Sequence, residues 1–412
     1  MSLKIRNAIF LFMLALPVLD ALNGILSRQY GKSVGTIYHV LLTVVLVFAA
    51  MYGNKSIRKK YFLPLCTFAI TLFIGITVAI LSNRGNDIAI DLLMKQCCTI
   101  INFVSLCILI ECKMIERNFC DKILKYTSIV IPIGMMFSYI TGISNTAYIA
   151  SGRGFLGFYS SSNELNCIVL ILAYYCLSKY YATRNEKYIF LFFVQALCAI
   201  MIESKISMGM CLIAILLLIY IGINRMKRRI TKAEFAIFLI ILIGICFAPI
   251  ILSNVFSSFM ERQGELRNAY SNPSFINYFT SGRLERFNQV LNYSFRAISS
   301  KNVIQNMAYT LMVLLFGNGF CNYTQHRYFE MEYFDNFFWC GLVGELLLIW
   351  FTIKIMRKSY FTQNKKILLM ISPIVAFICS FFSGHVLCGG VAGIYFALTC
   401  VNACKCNLKE FD

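Results

Sequence analysis

Apolar runs of about 17–22 residues recur along the whole of this 412-residue chain, and no other feature restricts its fold so strongly. At about 1.5 Å per residue, one such run crosses the hydrocarbon core of a bilayer as an α-helix. The alternating segments of about ten residues that build a membrane β-barrel are absent. The apolar fraction is 59% and the mean hydropathy +0.70, whereas an ordinary soluble domain is roughly half apolar. The chain is therefore read as an all-α, polytopic helical membrane protein. It forms a single integral membrane domain over 1–412, with no soluble domain of ordinary size.

About twelve spans are expected, at roughly 8–26, 34–53, 61–82, 92–112, 123–142, 164–182, 188–203, 206–223, 235–253, 335–353, 367–384 and 387–404. Lys4 and Arg6 precede the first of them like the start of a signal peptide. No small-x-small cleavage site follows in frame, so this run is read as an uncleaved first span. The basic residues orient the whole. With both termini cytoplasmic, the inner segments hold 25 of the 38 Lys and Arg, and every short outer segment is weakly basic. The same reading accounts for the net charge of +19 without nucleic acid, because the basic residues are interleaved with spans rather than gathered on one face.

Val303–Phe316 is apolar but only about 14 residues long, short of the roughly 20 needed to cross. Counting it as a span would also put the Lys354–Lys366 cluster outside. It is read as an interfacial or re-entrant helix within one long extracytoplasmic loop, 254–334. In the same loop Leu284, Phe287, Leu291, Phe295 and Ile298 share a helical face, opposite Arg286, Gln289 and Arg296, so Leu284–Ile298 is expected to lie in the headgroup plane or against the spans. A second outer loop, 143–163, carries SGRGFLGFYSSSNE. Most of the 18 cysteines lie inside apolar spans, where cysteine behaves as a small hydrophobe. Cys321 is the only one in the long loop, which argues against a disulfide framework. No Cys/His spacing resembles a metal site.

Charged groups inside spans are costly and mark cavities or partners. Asp20 and His39 fall in the outer halves of spans one and two. Glu345 lies ten residues into span ten, about 15 Å deep. These three suggest a water-accessible cavity opening outward. Asp91, Lys95, Glu164, Glu203, Lys205 and His385 lie at outer span ends, where polar residues are ordinary.

Two outer loops expose arginines: Arg153 between Gly152 and Gly154, and Arg283 with Arg286 one helical turn apart after Ser281-Gly282. Guanidinium groups bind phosphate oxygens through paired donors, so a lipid-linked diphosphate at the membrane surface suits them. His326, in a Tyr- and Phe-rich segment, could take a proton from a sugar hydroxyl. Asp335-Asn336 opens span ten, either as a helix cap or as a carboxylate held for base catalysis. Gly317-Asn318-Gly319 is a turn signal.

Several local patterns, in their order, resemble a known family. Arg153-Gly154-Phe155-Leu156-Gly157 followed by Asn163 is similar to its Arg/Gly/Asn segment before a span. Ser281-Gly282-Arg283 is similar to its Gly-Arg approach to a loop helix. Leu315-Phe316-Gly317-Asn318-Gly319, then Asp335-Asn336, then Gly341-Leu342-Val343-Gly344 resembles its Gly-x-Gly turn, polar pair and Gly-rich span start. Together with the topology, these resemble the Wzy-type repeat-unit polymerases of bacterial surface polysaccharides and their relatives, the O-antigen ligases. The ligase branch typically has His-Asn where this chain has Asp335-Asn336, which favours the polymerase branch. The resemblance implies glycosyl transfer at the outer face of the bacterial cytoplasmic membrane, from a polyprenyl-diphosphate-linked oligosaccharide. No metal or other cofactor is implied. The implied diphosphate ligands are Arg153, Arg283 and Arg286, and the base is Asp335 or His326. The expected partners are that lipid-linked oligosaccharide and membrane lipid, with a chain-length regulator and a flippase beside the enzyme. A ligase or a lipid-linked oligosaccharide flippase is the alternative, and the long outer loop argues against a flippase.

Overall fold

The computed structural model describes residues 3–30, 35–82, 84, 88–115, 119–148, 153–223, 287, 290, 291, 294, 303–321, 332–362, 371–383 and 391–405. They are mostly helical. In chain order the helices are α1 (Leu3–Tyr30), α2 (Gly35–Met51), α3 (Lys55–Leu81), α4 (Ile90–Glu111) and α5 (Phe119–Thr141). After a hairpin of β1 (Asn145–Tyr148) and β2 (Arg153–Gly157) come α6 (Ser162–Thr183), α7 (Glu186–Met201) and α8 (Lys205–Ile223). Then follow α9 (Val303–Phe316), α10 (Glu332–Thr362), α11 (Ile371–Ser383) and α12 (Ala392–Lys405). Among the described residues, five helices are long and apolar enough to cross a membrane: Arg6–Arg28, Lys55–Leu81, Ile90–Glu111, Phe119–Thr141 and Ser162–Thr183. The ninth expected span, 235–253, lies outside the described residues.

Two compact units are present. One joins Met1–Ala214 to Ala297–Asp412, and the other is Ile215–Arg296. In the smaller unit Phe287, Val290, Leu291 and Ser294 are helical, at the spacing expected of the loop helix.

The larger unit is arranged around α6. Every residue from Leu165 to Ser178 is buried, as expected of a helix that is apolar on all sides. The Ser161 hydroxyl caps it by accepting from the Glu164 amide at 3.4 Å, and Ser161 with Glu164 has the spacing of a capping box. Ser372 of α11 donates to the Ile171 carbonyl at 2.9 Å, and the Tyr174 hydroxyl to the Met210 carbonyl at 2.6 Å. Around this centre, other helices leave large apolar side chains exposed: Leu11 and Leu22 on α1, Phe62 and Phe73 on α3, Met136 and Ile140 on α5. A surface this apolar fits hydrocarbon rather than water. α9 does the same with Ile304, Met307 and Leu311, while Tyr309 and Val313 turn inward.

Ion pairs join some helix ends: Lys60 lies 3.3 Å from Glu111, and Lys179 2.5 Å from Asp121. Hydrogen bonds join others: Ala89 donates to the Phe320 carbonyl at 2.8 Å, and Arg28 donates to Asn145 Oδ1 at 2.9 Å. The sequence puts the first group on the inner side and the second on the outer.

Two sequence expectations need correction. Segment 143–163 is not a plain loop: Asn145 pairs with Gly157 and Tyr148 with Arg153 in an antiparallel hairpin. Within β2, Gly154 and Gly157 have positive φ, which glycine adopts at little steric cost, and the register shifts between Asn145 and Thr146. And α10 is not a simple span opening at Asp335. It begins at Glu332 and is interrupted at Gly341.

Candidate functional site

The interruption in α10 builds the best-defined polar site. Gly341 has φ 67° and ψ −176°, outside helical space. Such a break strips helical partners from the carbonyls just before it, and buried carbonyls need replacements. They come from the turn after α9: the Asn318 amide donates to the Phe338 carbonyl at 2.9 Å, and the Gly319 amide to the Trp339 carbonyl at 3.1 Å. Backbones this close exclude side chains. A Cβ on Gly317 would lie 2.4 Å from the Trp339 carbonyl oxygen, and one on Gly341 2.3 Å from that of Leu315. Phe320 then stacks on Trp339 at 4.7 Å, over a core of Phe68, Leu72, Ala89 and Leu92. The turn and the broken helix thus form one rigid elbow.

That elbow fixes the first half of α10. Asp335 and Asn336 are each 1% exposed. Asp335 sits in the first turn, not at the cap, because the helix starts three residues earlier. A carboxylate is favoured there by the helix dipole. Gln96 of α4 donates a short hydrogen bond to Asn336 Oδ1. Ser380 of α11 donates to the Tyr333 hydroxyl at 3.2 Å. Glu345, one turn beyond the break, is buried within electrostatic reach of Glu332, and neither of its carboxyl oxygens has a hydrogen-bond partner.

The hairpin is latched to α1. Asn145 donates to the Tyr159 carbonyl at 2.9 Å, with Phe158 and Gly24 carbonyls at 3.3 and 3.4 Å. Arg28 closes the latch on the Ser144 carbonyl and the Asn145 side chain. Burial, with the Asp20 carboxylate adding to it, pushes the Tyr159 phenol well above its ordinary range, so it stays neutral. Arg153 opens β2, opposite Tyr148.

A third feature lies between α1 and α2. His39 Nε2 is 3.3 Å from Asp20 Oδ1, and both residues are buried. Glu164 lies within electrostatic reach of Lys95, Asp20 and His39, and its Oε2 accepts from the Val391 amide at 3.2 Å. The structure thus brings Asp20 and His39 together as a buried pair. Among the described residues, no three His, Cys, Asp or Glu side chains gather as a metal set.

The chain matches the family of O-antigen ligase-like membrane proteins over residues 2–271. It belongs to that family. Membership, with the apolar helices, makes this O-antigen ligase-like protein a multi-pass membrane protein, and the family's members are glycosyl-transferring enzymes of polysaccharide assembly. No curated protein matches it significantly. The matched region takes in the hairpin, the Asp20–His39 pair and Gln96, and ends before the elbow. Arg283, Arg286 and His326 lie outside the described residues, as does His385. Gln96, Asn145 and Arg28 were not singled out in the sequence. Gln96 carries a signal, a polar amide inside an otherwise apolar span, but an uncharged amide is cheaper to bury than a charge and so stands out less.

Proposed function

We propose that this protein polymerises polyprenyl-diphosphate-linked oligosaccharide repeat units into a bacterial surface polysaccharide, at the outer face of the cytoplasmic membrane. The observation that carries the reading is the elbow. It holds a buried Asp335–Asn336 pair rigidly at the head of a broken helix, in a chain of the O-antigen ligase-like family. An aspartate stands where the ligase branch typically has histidine, which favours polymerisation over ligation.

In the proposed step, a hydroxyl oxygen of one lipid-linked unit bonds to the anomeric carbon of the growing chain. The bond from that carbon to the diphosphate breaks, and its electron pair leaves with the diphosphate. The hydroxyl proton passes to Asp335 or His326. Arg153, Arg283 and Arg286 hold the diphosphate, whose charge grows as the bond breaks, so that fixed donors act mainly in the transition state. Asp20, His39 and Glu345 are the proposed cavity-lining groups. In this reading the protein acts as a single membrane domain with 254–334 as its long outer loop.

Deleting the gene should leave single lipid-linked repeat units on the outer leaflet and no long polymer. Units on the inner leaflet would favour a flippase, and intact polymer left unattached to its final acceptor would favour a ligase. With purified protein and defined lipid-linked units, alanine at the true base, Asp335 or His326, should lower the rate about 10²–10⁴-fold. Full activity in both variants would refute the assignment. A chelator should leave the rate unchanged.

A further inference from the structure

Gln96 of α4 and Asn336 of α10 are each 1% exposed and joined by one side-chain hydrogen bond, from Gln96 Nε2 to Asn336 Oδ1. That bond occupies the amino group of one amide and the oxygen of the other. It leaves Gln96 Oε1, an acceptor, and Asn336 Nδ2, a donor, both buried and without a partner. One helical turn along α10, Trp339 is fully buried with its indole N–H also unpartnered. Polar groups left empty in an apolar interior are expensive, and where they persist they mark a site that something else completes.

The chemistry of the vacant atoms indicates what completes it. A donor and an acceptor on two linked amides match a group that accepts and donates at once, and a hydroxyl does both. Leu92 joins Trp339 in one buried apolar cluster, against which Leu93 and Cys97 pack, so the amide pair sits beside apolar core. We propose that Gln96 and Asn336 form a hydroxyl-binding amide pair that seats the acceptor sugar beside Asp335. The proposal rests on the polymerase reading and adds to it the place where the acceptor is recognised. Gln96 and Asn336 bind the acceptor, and Asp335, which precedes Asn336 in α10, is the proposed base.

The test uses full-length purified protein carrying Trp350→Phe, which leaves Trp339 as the sole tryptophan of the two in the chain. The probe is the oligosaccharide repeat unit released by mild acid from the producing cell's own polysaccharide. Saturable change in Trp339 emission is expected, with half-saturation raised about tenfold or more in Gln96→Leu and in Asn336→Leu. In polymerisation assays Gln96→Leu should raise KM for the acceptor unit more than it lowers kcat, and leave KM for the donor unchanged. If wild type polymerises but both variants bind the saccharide as tightly as wild type, or lose only kcat, the amide pair is structural or holds water, and the proposal is overturned. If wild type fails to polymerise, the polymerase reading falls, while the emission assay still decides whether the pair binds saccharide. Should leucine variants not accumulate, Gln96→Met, of similar length without the acceptor, is judged by the same outcomes.

Discussion

Asp20 and His39 lie side by side, 3.3 Å apart, where little water reaches either. Removing one partner of a buried pair strands the other, which typically costs about 3–5 kcal/mol, whereas replacing both with apolar groups is often neutral. His39→Leu alone should therefore lower the thermal unfolding temperature in detergent markedly, and Asp20→Leu/His39→Leu should regain most of the loss. Additive losses in the double variant would show that the two side chains do not depend on one another. The sequence already placed both residues in the outer halves of neighbouring spans. It could not show that they meet, since the facing of one helix on another is set by packing along their whole length.

Gly317 and Gly341 decide the shape of the elbow, each at a φ that other residues rarely adopt. A non-glycine residue there costs about 1–3 kcal/mol from the backbone alone. At Gly317 the 2.4 Å approach to the Trp339 carbonyl adds to that cost. Gly317→Ala should thus lower thermal stability in detergent and change Trp339 emission by unseating Phe320. Unchanged emission with unchanged stability would mean the turn is not docked as described. The element is only partly legible in the sequence. Gly317-Asn318-Gly319 reads as a turn, and Gly341 as a glycine near a span start. That the turn's amides replace lost helical partners of α10 is a contact between segments separate in the chain, invisible to local pattern. The hairpin is not legible for a related reason: strands of four and five residues carry too little alternation to stand out, and this one is tied to α1 by Asn145 and Arg28.

Across the molecule, the basic residues assign the helix ends to an inner and an outer side. Both termini are accordingly expected inside and 254–334 outside. Alkaline phosphatase fused after Asn272 should be active, and fused after Lys227 inactive. The reverse pattern would invert the topology, and with it the face on which glycosyl transfer is proposed. The central position of α6 follows from its lack of a polar face. The apolar rims of α1, α3, α5 and α9 mark where lipid is expected.

By itself, the sequence determined that this is a helical membrane protein and roughly where its helices run. Hydrophobic length and charge bias are local quantities, and a bilayer reads them locally. It also marked Asp335-Asn336, Asp20, His39 and Glu345 as polar groups in costly places. Only the tertiary structure decided that Gly341 breaks α10, that a distant glycine turn repairs the break, and that Gln96 meets Asn336 to leave one donor and one acceptor open. Those outcomes depend on which backbones can approach within hydrogen-bonding distance, and that is settled by packing between helices far apart in the chain.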